Sequence, residues 1–352
     1  MSESQPARPT IREVAKLAGV STSTVSLVIN DKGSISPATR ERVHLAARTL
    51  GYQANPHGRG LRGTRNQIIG IALRSLDMSS AYSQPGVDHH LRLFGAAATR
   101  ALDRGYSAML VSRDVSAGPR PLWSDGFVIA DPFDHDQFLA SLTESMVPVV
   151  SVGRSPDFGE LVPFVSTSAE STLALNHLKA RGARRVALIS GRERTAWHMR
   201  GEEAYSRWTR AQGMSSQMVS SPEESGSEGG ALAARQLFES SPDIDAIICH
   251  TARHAAGASE YLRSVGLRIP DDVMIAACSD GEAARSALPP ITAIDLRPEE
   301  LGRQAVDLLV DRIENLSSRS SVLIDAELLK RESTGPSAGS ASRSTQATMR
   351  RT

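Results

Sequence analysis

The run from Thr10 to Asn30 constrains this chain more than any other feature. Thr10-Ile11-Arg12-Glu13 has the form of a capping box, in which the Thr hydroxyl takes the backbone N–H three residues on and the Glu reaches back to the cap, so a helix is expected to open there. Ile11, Val14, Ala15 and Ala18 place one apolar face at helical spacing, and Gly19 can take the left-handed conformation that ends a helix. Ser21 is placed to cap a second helix through Ile29, whose apolar positions are Val25, Val28 and Ile29. Ala15 is small enough to let the two helices cross closely. Two short helices about a glycine turn form the geometry that lays the second helix in a DNA major groove. Ser36, Pro37 and Gly51 supply the cap, first turn and stop of a third helix that closes the core. On spacing alone, a helical hairpin with no role on DNA is the competing reading.

Charge bears on that choice. The 352 residues sum to +1, but residues 1–65 hold ten Lys or Arg against four acids, a net of +6 that leaves −5 on the remainder. A small basic segment on a larger acidic one fits a chain whose head alone meets a polyanion; a solvated basic surface is the alternative. The length corresponds to about two domains at ~150 residues each. A hydrophobic content of 40% argues against wholesale disorder, and no apolar run reaches the ~18 residues of a spanning helix. MSESQPARPT carries no hydrophobic signal core, and Cys249 and Cys278 cannot build a disulfide framework or a four-cysteine zinc site, so a cytoplasmic protein is expected.

Beyond the head, strands and helices alternate. Strand patterns at 68–73, 107–111, 126–129 and 148–152 flank helices near 90–103 and 137–145. A second set has strands at 185–189, 246–249 and 274–277, and helices near 172–180, 202–212, 231–239, 256–265 and 299–315. Such alternation predicts parallel sheets with helices on both faces, here two sheets in two subdomains, with ligands outside the carboxyl ends of the strands. There is no G-x-S-x-G, no H-E-x-x-H, no Gly-rich phosphate loop and no Cys–His spacing with a recognisable role, so no catalytic residue, metal or cofactor is expected.

The run Thr10-Ile-Arg-Glu-Val-Ala-Lys-Leu-Ala-Gly-Val-Ser-Thr-Ser-Thr-Val-Ser-Leu-Val-Ile-Asn30, with Ser36-Pro-Ala-Thr-Arg-Glu-Arg-Val43 and Leu50-Gly-Tyr-Gln-Ala-Asn55, resembles the DNA-binding head of the lactose-repressor (LacI/GalR) family. The resemblance returns in Gly266-Leu-Arg-Ile-Pro-Asp-Asp-Val273, Leu288-Pro-Pro-Ile-Thr-Ala-Ile294 and Arg331-Glu-Ser-Thr-Gly-Pro336. It implies an all-α helix-turn-helix head at 10–54, a hinge at 55–66, and at 67–333 an α/β periplasmic-binding-protein-like body of two doubly wound parallel-sheet subdomains with an effector cleft between them. Residues 1–9 and the Ser-, Gly- and Thr-rich stretch 334–352 are expected to be disordered.

The same resemblance assigns roles. Thr22 and Ser23, with Ser26 and Leu27 a turn later, match positions that read bases; Leu27, where the family often has Arg, offers only an apolar contact such as to a thymine methyl. Thr10, Ser21, Asn30, Ser36 and Thr39 match phosphate-touching positions. Asn55 to Arg62 matches a hinge that becomes helical on the operator, with Leu61 as the leucine wedged into the minor groove. Gly58 and Gly60 each disfavour helix by about 0.8–1 kcal/mol relative to Ala, while Arg59, Arg62 and Arg65 can reach phosphates, so steep salt dependence is expected.

The body departs from the family in two respects. Between Arg113 and Asp125, two prolines and a glycine replace an expected helix. In the pocket, Met199 stands where sugar-binding members carry Arg, with Arg200 beside it; Ser279-Asp280 replaces paired acids and His250-Thr251 replaces Asn-Asp. Arg74, Trp197, Arg200, His250 and Asp280 are the effector candidates. Their ordinary alternatives are a packed aromatic, a satisfied polar residue and a helix cap. The implied function is a transcriptional regulator, a repressor, binding a near-palindromic double-stranded DNA operator as a homodimer under a small-molecule effector, a sugar or other metabolite. The alternatives are a regulator that has lost sugar binding and a cytoplasmic solute-binding protein, which the intact head opposes.

Overall fold

The computed structural model describes residues 10–29, 33–50, 65–72, 89–111, 124–168, 170–316 and 321–335. The chain divides into two compact units, Met1–Asn66 and Gln67–Thr352.

The first unit carries α1 (Ile11–Ala18), α2 (Thr22–Ile29) and α3 (Pro37–Leu50). The Glu13 half of the capping box forms as expected, while the Glu13 N–H goes to the Thr10 carbonyl at 3.0 Å rather than to its hydroxyl. The Glu13 carboxylate accepts the Thr10 backbone N–H at 2.6 Å and its hydroxyl at 2.9 Å, and these bonds hold the carboxyl below its ordinary pKa. Gly19 adopts φ 66°, and its N–H returns to the Ala15 carbonyl. Ser21 Oγ accepts the Thr24 N–H at 3.1 Å, and Ser36 Oγ accepts the Thr39 N–H at 3.3 Å, so both serines are caps. Val14, Ala15, Ala18, Val25, Val28, Val43 and Ala46 form the core. None is larger than valine, which lets three short helices close around a small centre.

The second unit runs β1 (Ile68–Ala72), α4 (His89–Asp103), β2 (Ser107–Leu110), β3 (Gly126–Ala130), α5 (Gln137–Glu144), β4 (Val149–Val152) and β5 (Phe164–Ser168). It continues through α6 (Glu170–Ala180), β6 (Val186–Gly191), α7 (Ala196–Ala211), β7 (Met218–Ser221), α8 (Gly226–Ser240), β8 (Ala246–Cys249), α9 (Ala252–Ser264) and β9 (Met274–Ala277). The last elements are α10 (Glu282–Ser286), β10 (Thr292–Asp295), α11 (Pro298–Glu314), β11 (Ser321–Asp325) and β12 (Glu327–Leu329).

Two sheets result, in the orders β11-β5-β4-β3-β1-β2 and β12-β10-β9-β8-β6-β7. Every pairing is parallel except that of β12 with β10. β3, β4, β6 and β8 are buried along their whole length, as strands covered on both faces must be.

The described chain passes between the sheets at three places. After β5 it enters α6, whose Ala174, Leu175 and Leu178 pack on Val186 and Leu188 of the second sheet. After β10 it returns as α11, whose Leu301, Val306 and Leu309 join Ile69 and Leu93 in the core of the first. Gly302 permits that approach, because a Cβ there would overlap the Leu93 carbonyl oxygen. After β11 the chain leaves again for β12.

Several elements differ from the sequence pattern. β5, β7, β10, β11 and β12 have no counterpart in it; all are three to five residues long, and β7 and β11 are half-exposed. α7 begins at Ala196 rather than near Glu202, capped by Thr195, whose hydroxyl accepts the His198 N–H. Its first turns mix His, Arg and Gly, which hides the apolar period. Thr334 is no part of a tail. It is 2% exposed, and its hydroxyl meets Thr292 Oγ1 at 2.8 Å and His177 Nε2 at 2.9 Å. Residues 55–64, 112–123 and 336–352, which contain most of the hinge, the proline-rich departure and the tail, lie outside the described residues.

Candidate DNA-binding and effector sites

In the head, Thr22 and Ser23 are exposed at the start of α2, with Ser26 half-buried and Leu27 39% exposed one turn on. The spacings 22/26 and 23/27 stack these side chains in two i,i+4 pairs. α2 contains no Lys or Arg, so any charge offered to phosphates comes from its surroundings. Thr10, Ser21 and Ser36 are exposed and Thr39 half-buried. Asn30, Asn55, Leu61 and Arg74 lie outside the described residues.

In the body, a cleft of about 810 Å³, counting its open mouth, is lined from both sheets. The first supplies His90, Asp131 and Ser166; the second supplies Trp197, Arg200, Glu223 and Asp280. Asp131 follows β3, Ser166 lies in β5, and Ser279-Asp280 follows β9, so the cleft sits at strand carboxyl ends. His90 Nε2 meets Asp131 Oδ2 at 2.9 Å. Arg200 donates from Nη2 to Ser166 Oγ at 3.2 Å across the sheets and stands 3.6 Å from Glu170, while its buried Nη1 has no hydrogen-bond partner. Asp280 is held by Arg285 at 2.7 Å and Arg331 at 2.8 Å. Gly281, not Asp280, is the N-cap of α10.

Behind Trp197 lies a cluster of rings. Its centroid is 5.0 Å from His198 and 5.3 Å from His250, and the two imidazoles are 5.2 Å apart. His250 is 1% exposed and is not among the residues lining the cleft; it stands behind the tryptophan. Its Nδ1 meets Ser190 Oγ at 3.0 Å. Burial, then the neighbouring His198, push its pKa well below the ordinary histidine value.

Residues 10–55 match the family described as bacterial regulatory proteins, lacI family, and residues 175–334 match the periplasmic binding protein-like domain. The HTH-type transcriptional regulator CelR of Thermobifida fusca is 29% identical over 340 residues, spanning 93% of this chain and 98% of that protein. The chain belongs to the LacI family. The HTH-type transcriptional repressor CytR of Escherichia coli (strain K12) is 26% identical over 349 residues, spanning 95% of this chain and 98% of that protein. Among solved structures, a CelR–cellobiose complex superposes with a TM-score of 0.65 at 26% identity, covering 93% of this chain and all of that one. The lac repressor dimer bound to operator and the anti-inducer ONPF shares the fold at TM-score 0.73 and 22% identity, covering 94% of this chain and all of that one.

As a LacI-family member the protein is a DNA-binding transcriptional regulator with an effector-binding body. Within that frame, Trp197, Arg200 and Asp280 come together in the cleft as expected from the sequence. His90, Asp131, Ser166, Glu223 and Arg253 were not expected there. They arrive from separate elements, and only the adjacent His89-His90 pair is conspicuous in the sequence.

Proposed function

We propose that the protein is a repressor that binds a near-palindromic operator as a homodimer in the cytoplasm and is controlled by a small polar effector in the cleft. The supporting observation is that the cleft takes side chains from both sheets, bridged by Arg200 and Ser166. A ligand there favours whichever disposition of the two sheets it binds more tightly, and that difference is the whole of the control it can exert.

On this reading the chain comprises a head at 10–54, a hinge at 55–66 and a body from 67 to the turn ending at Thr334. Thr22, Ser23, Ser26 and Leu27 read bases; Thr10, Ser21, Asn30, Ser36 and Thr39 set register on the phosphates, and Asn55 opens the hinge. Leu61 opens the central base step. Pairing of two heads suits the apolar side chains that α4 and β2 leave exposed, Leu91, Leu102, Met109 and Leu110, which a second copy would cover. The cleft's aromatic face and paired polar groups suit a sugar, and cellobiose, the ligand of the CelR complex, is the first compound to test.

The test is selection of bound sequences from random DNA by the purified chain, which should return a palindrome with salt-sensitive affinity; recovery of no preferred sequence would sink the proposal. Leu61→Ala should weaken specific binding more than nonspecific binding, and equal losses would count against a wedge. For the cleft, a thermal-shift screen across sugars, nucleosides and acids should yield a stabilising compound. Its effect should vanish in Arg200→Ala; an unchanged shift would exclude this cleft.

A further inference from the structure

Glu193, His198 and Glu223 bring three ligand-type atoms within 4.8 Å of one another. They come from the loop after β6, the first turn of α7 and the single 3-10 turn Glu223–Ser225 before α8. His198 and Glu223 are buried and Glu193 half-buried. The geometry of each is fixed from behind. Thr195 Oγ1, itself the cap of α7, meets His198 Nδ1 at 2.9 Å, which leaves Nε2 as the outward nitrogen. Glu193 Oε1 accepts the Glu223 backbone N–H at 2.9 Å. Room for the imidazole is made by Gly191, where a Cβ would overlap His198 Nε2.

Two observations point to a bound cation. His198 Nε2 lies 2.9 Å from Glu223 Oε1 yet has no hydrogen-bond partner, so the two atoms converge without being directed at each other. Glu193 Oε2 is likewise buried without a hydrogen-bond partner. Burying two carboxylates side by side is costly unless a positive charge is set between them. One imidazole and two carboxylates are a donor set for zinc, which binds His nitrogen and carboxylate oxygen at about 2.0–2.2 Å, often through three protein ligands with a fourth position open. Ligand atoms around such an ion stand about 3.3 Å apart, so His198 and Glu223, now 2.9 Å apart, would part slightly to admit it.

We propose that Glu193, His198 and Glu223 hold a divalent transition-metal ion, zinc fitting best, in the wall of the cleft. Glu223 also lines the cleft, whereas Glu193 and His198 do not, so the site adjoins the effector space through that one carboxylate. An effector with adjacent oxygen donors would bind partly through the metal. That role rests on the cleft being the effector site, whereas binding of the ion does not.

The full chain, stripped with a chelator and dialysed against zinc chloride, should retain one zinc per chain by mass spectrometry of the metal. Glu193→Gln and Glu223→Gln should each weaken zinc binding in calorimetry at least tenfold. Cobalt in place of zinc should give visible absorption bands that change in Glu193→Gln, a variant of unchanged size at a half-buried position. An exposed cluster, Asp134, His135 and Asp157, has similar spacing, so His135→Asn serves as the control and should leave the stoichiometry at one. Absence of bound zinc and of cobalt bands in the wild type, undiminished binding in Glu193→Gln, or loss of the metal in His135→Asn would each overturn the proposal. A thermal shift by cellobiose that is unchanged after chelation would remove the co-ligand role and leave the site itself standing.

Discussion

Residue by residue, clearance decides much of what happens behind the cleft. Gly201 faces His250 so closely that a Cβ would overlap Nε2 of the ring. His250 cannot retreat, because Ser190 holds its Nδ1 and Trp197 lies across it. Gly201→Ala should therefore cost about 1–3 kcal/mol in urea unfolding, the usual range for overpacking, and an unchanged midpoint would show that the ring moves freely. The two cysteines make a contrasting point. Burial pushes the Cys278 thiol up to about 12 and raises that of Cys249 well above its ordinary value, so neither supplies thiolate at neutral pH. The native protein should be inert to a thiol-specific disulfide reagent at pH 8 and release two thiols once denatured; rapid native labelling would contradict the burial described.

Between elements, caps and charge ladders take over. Ser21→Ala removes the side-chain acceptor at the start of α2 and should lower the stability of the head by about 1 kcal/mol, read by the helical signal on thermal melting. α4 and α11 are tied by Arg92 to Glu299 at 2.7 Å and by Arg104 to Asp307 at 2.6 Å and Asp311 at 2.8 Å. Asp307 also accepts Arg100 at 2.9 Å. These groups are partly exposed and screened, so Asp307→Asn should cost no more than about 1 kcal/mol, with the difference shrinking in 1 M salt. An effect independent of salt would point to packing instead. Elements of this kind were legible in the sequence where one face is apolar and caps are local, as in α1 to α3, or where a strand is buried on both sides, as in β8 and β9. The edge strands β7 and β11 were not legible, because a half-exposed strand of four or five residues lacks the apolar run that marks a central one. The cleft was legible only through residues at the strand ends and in α7; His90 and Glu223 belong to it by tertiary placement, which no local spacing reports.

Taken whole, the molecule divides its charge as it divides its work, +6 on residues 1–65 and −5 on the rest. Because α2 carries no base of its own, affinity for operator should rest heavily on counterion release, with a fall of about 10³-fold or more between 50 and 200 mM salt if six or more phosphates are engaged. A shallow slope would mean that far fewer are touched. The body's connectivity has a consequence of another kind, in the order of manufacture. β1 to β5 are synthesised first, yet their sheet lacks β11, whose Ser321–Asp325 pairs with Phe164–Ser168, and lacks α11 over its core until residue 314 has been made. The second sheet has β6 to β10 in hand by Asp295. On the ribosome, then, the half of the body that is begun first stays open while most of the other is built, and a chain stopped anywhere between Leu296 and Val322 leaves it without β11.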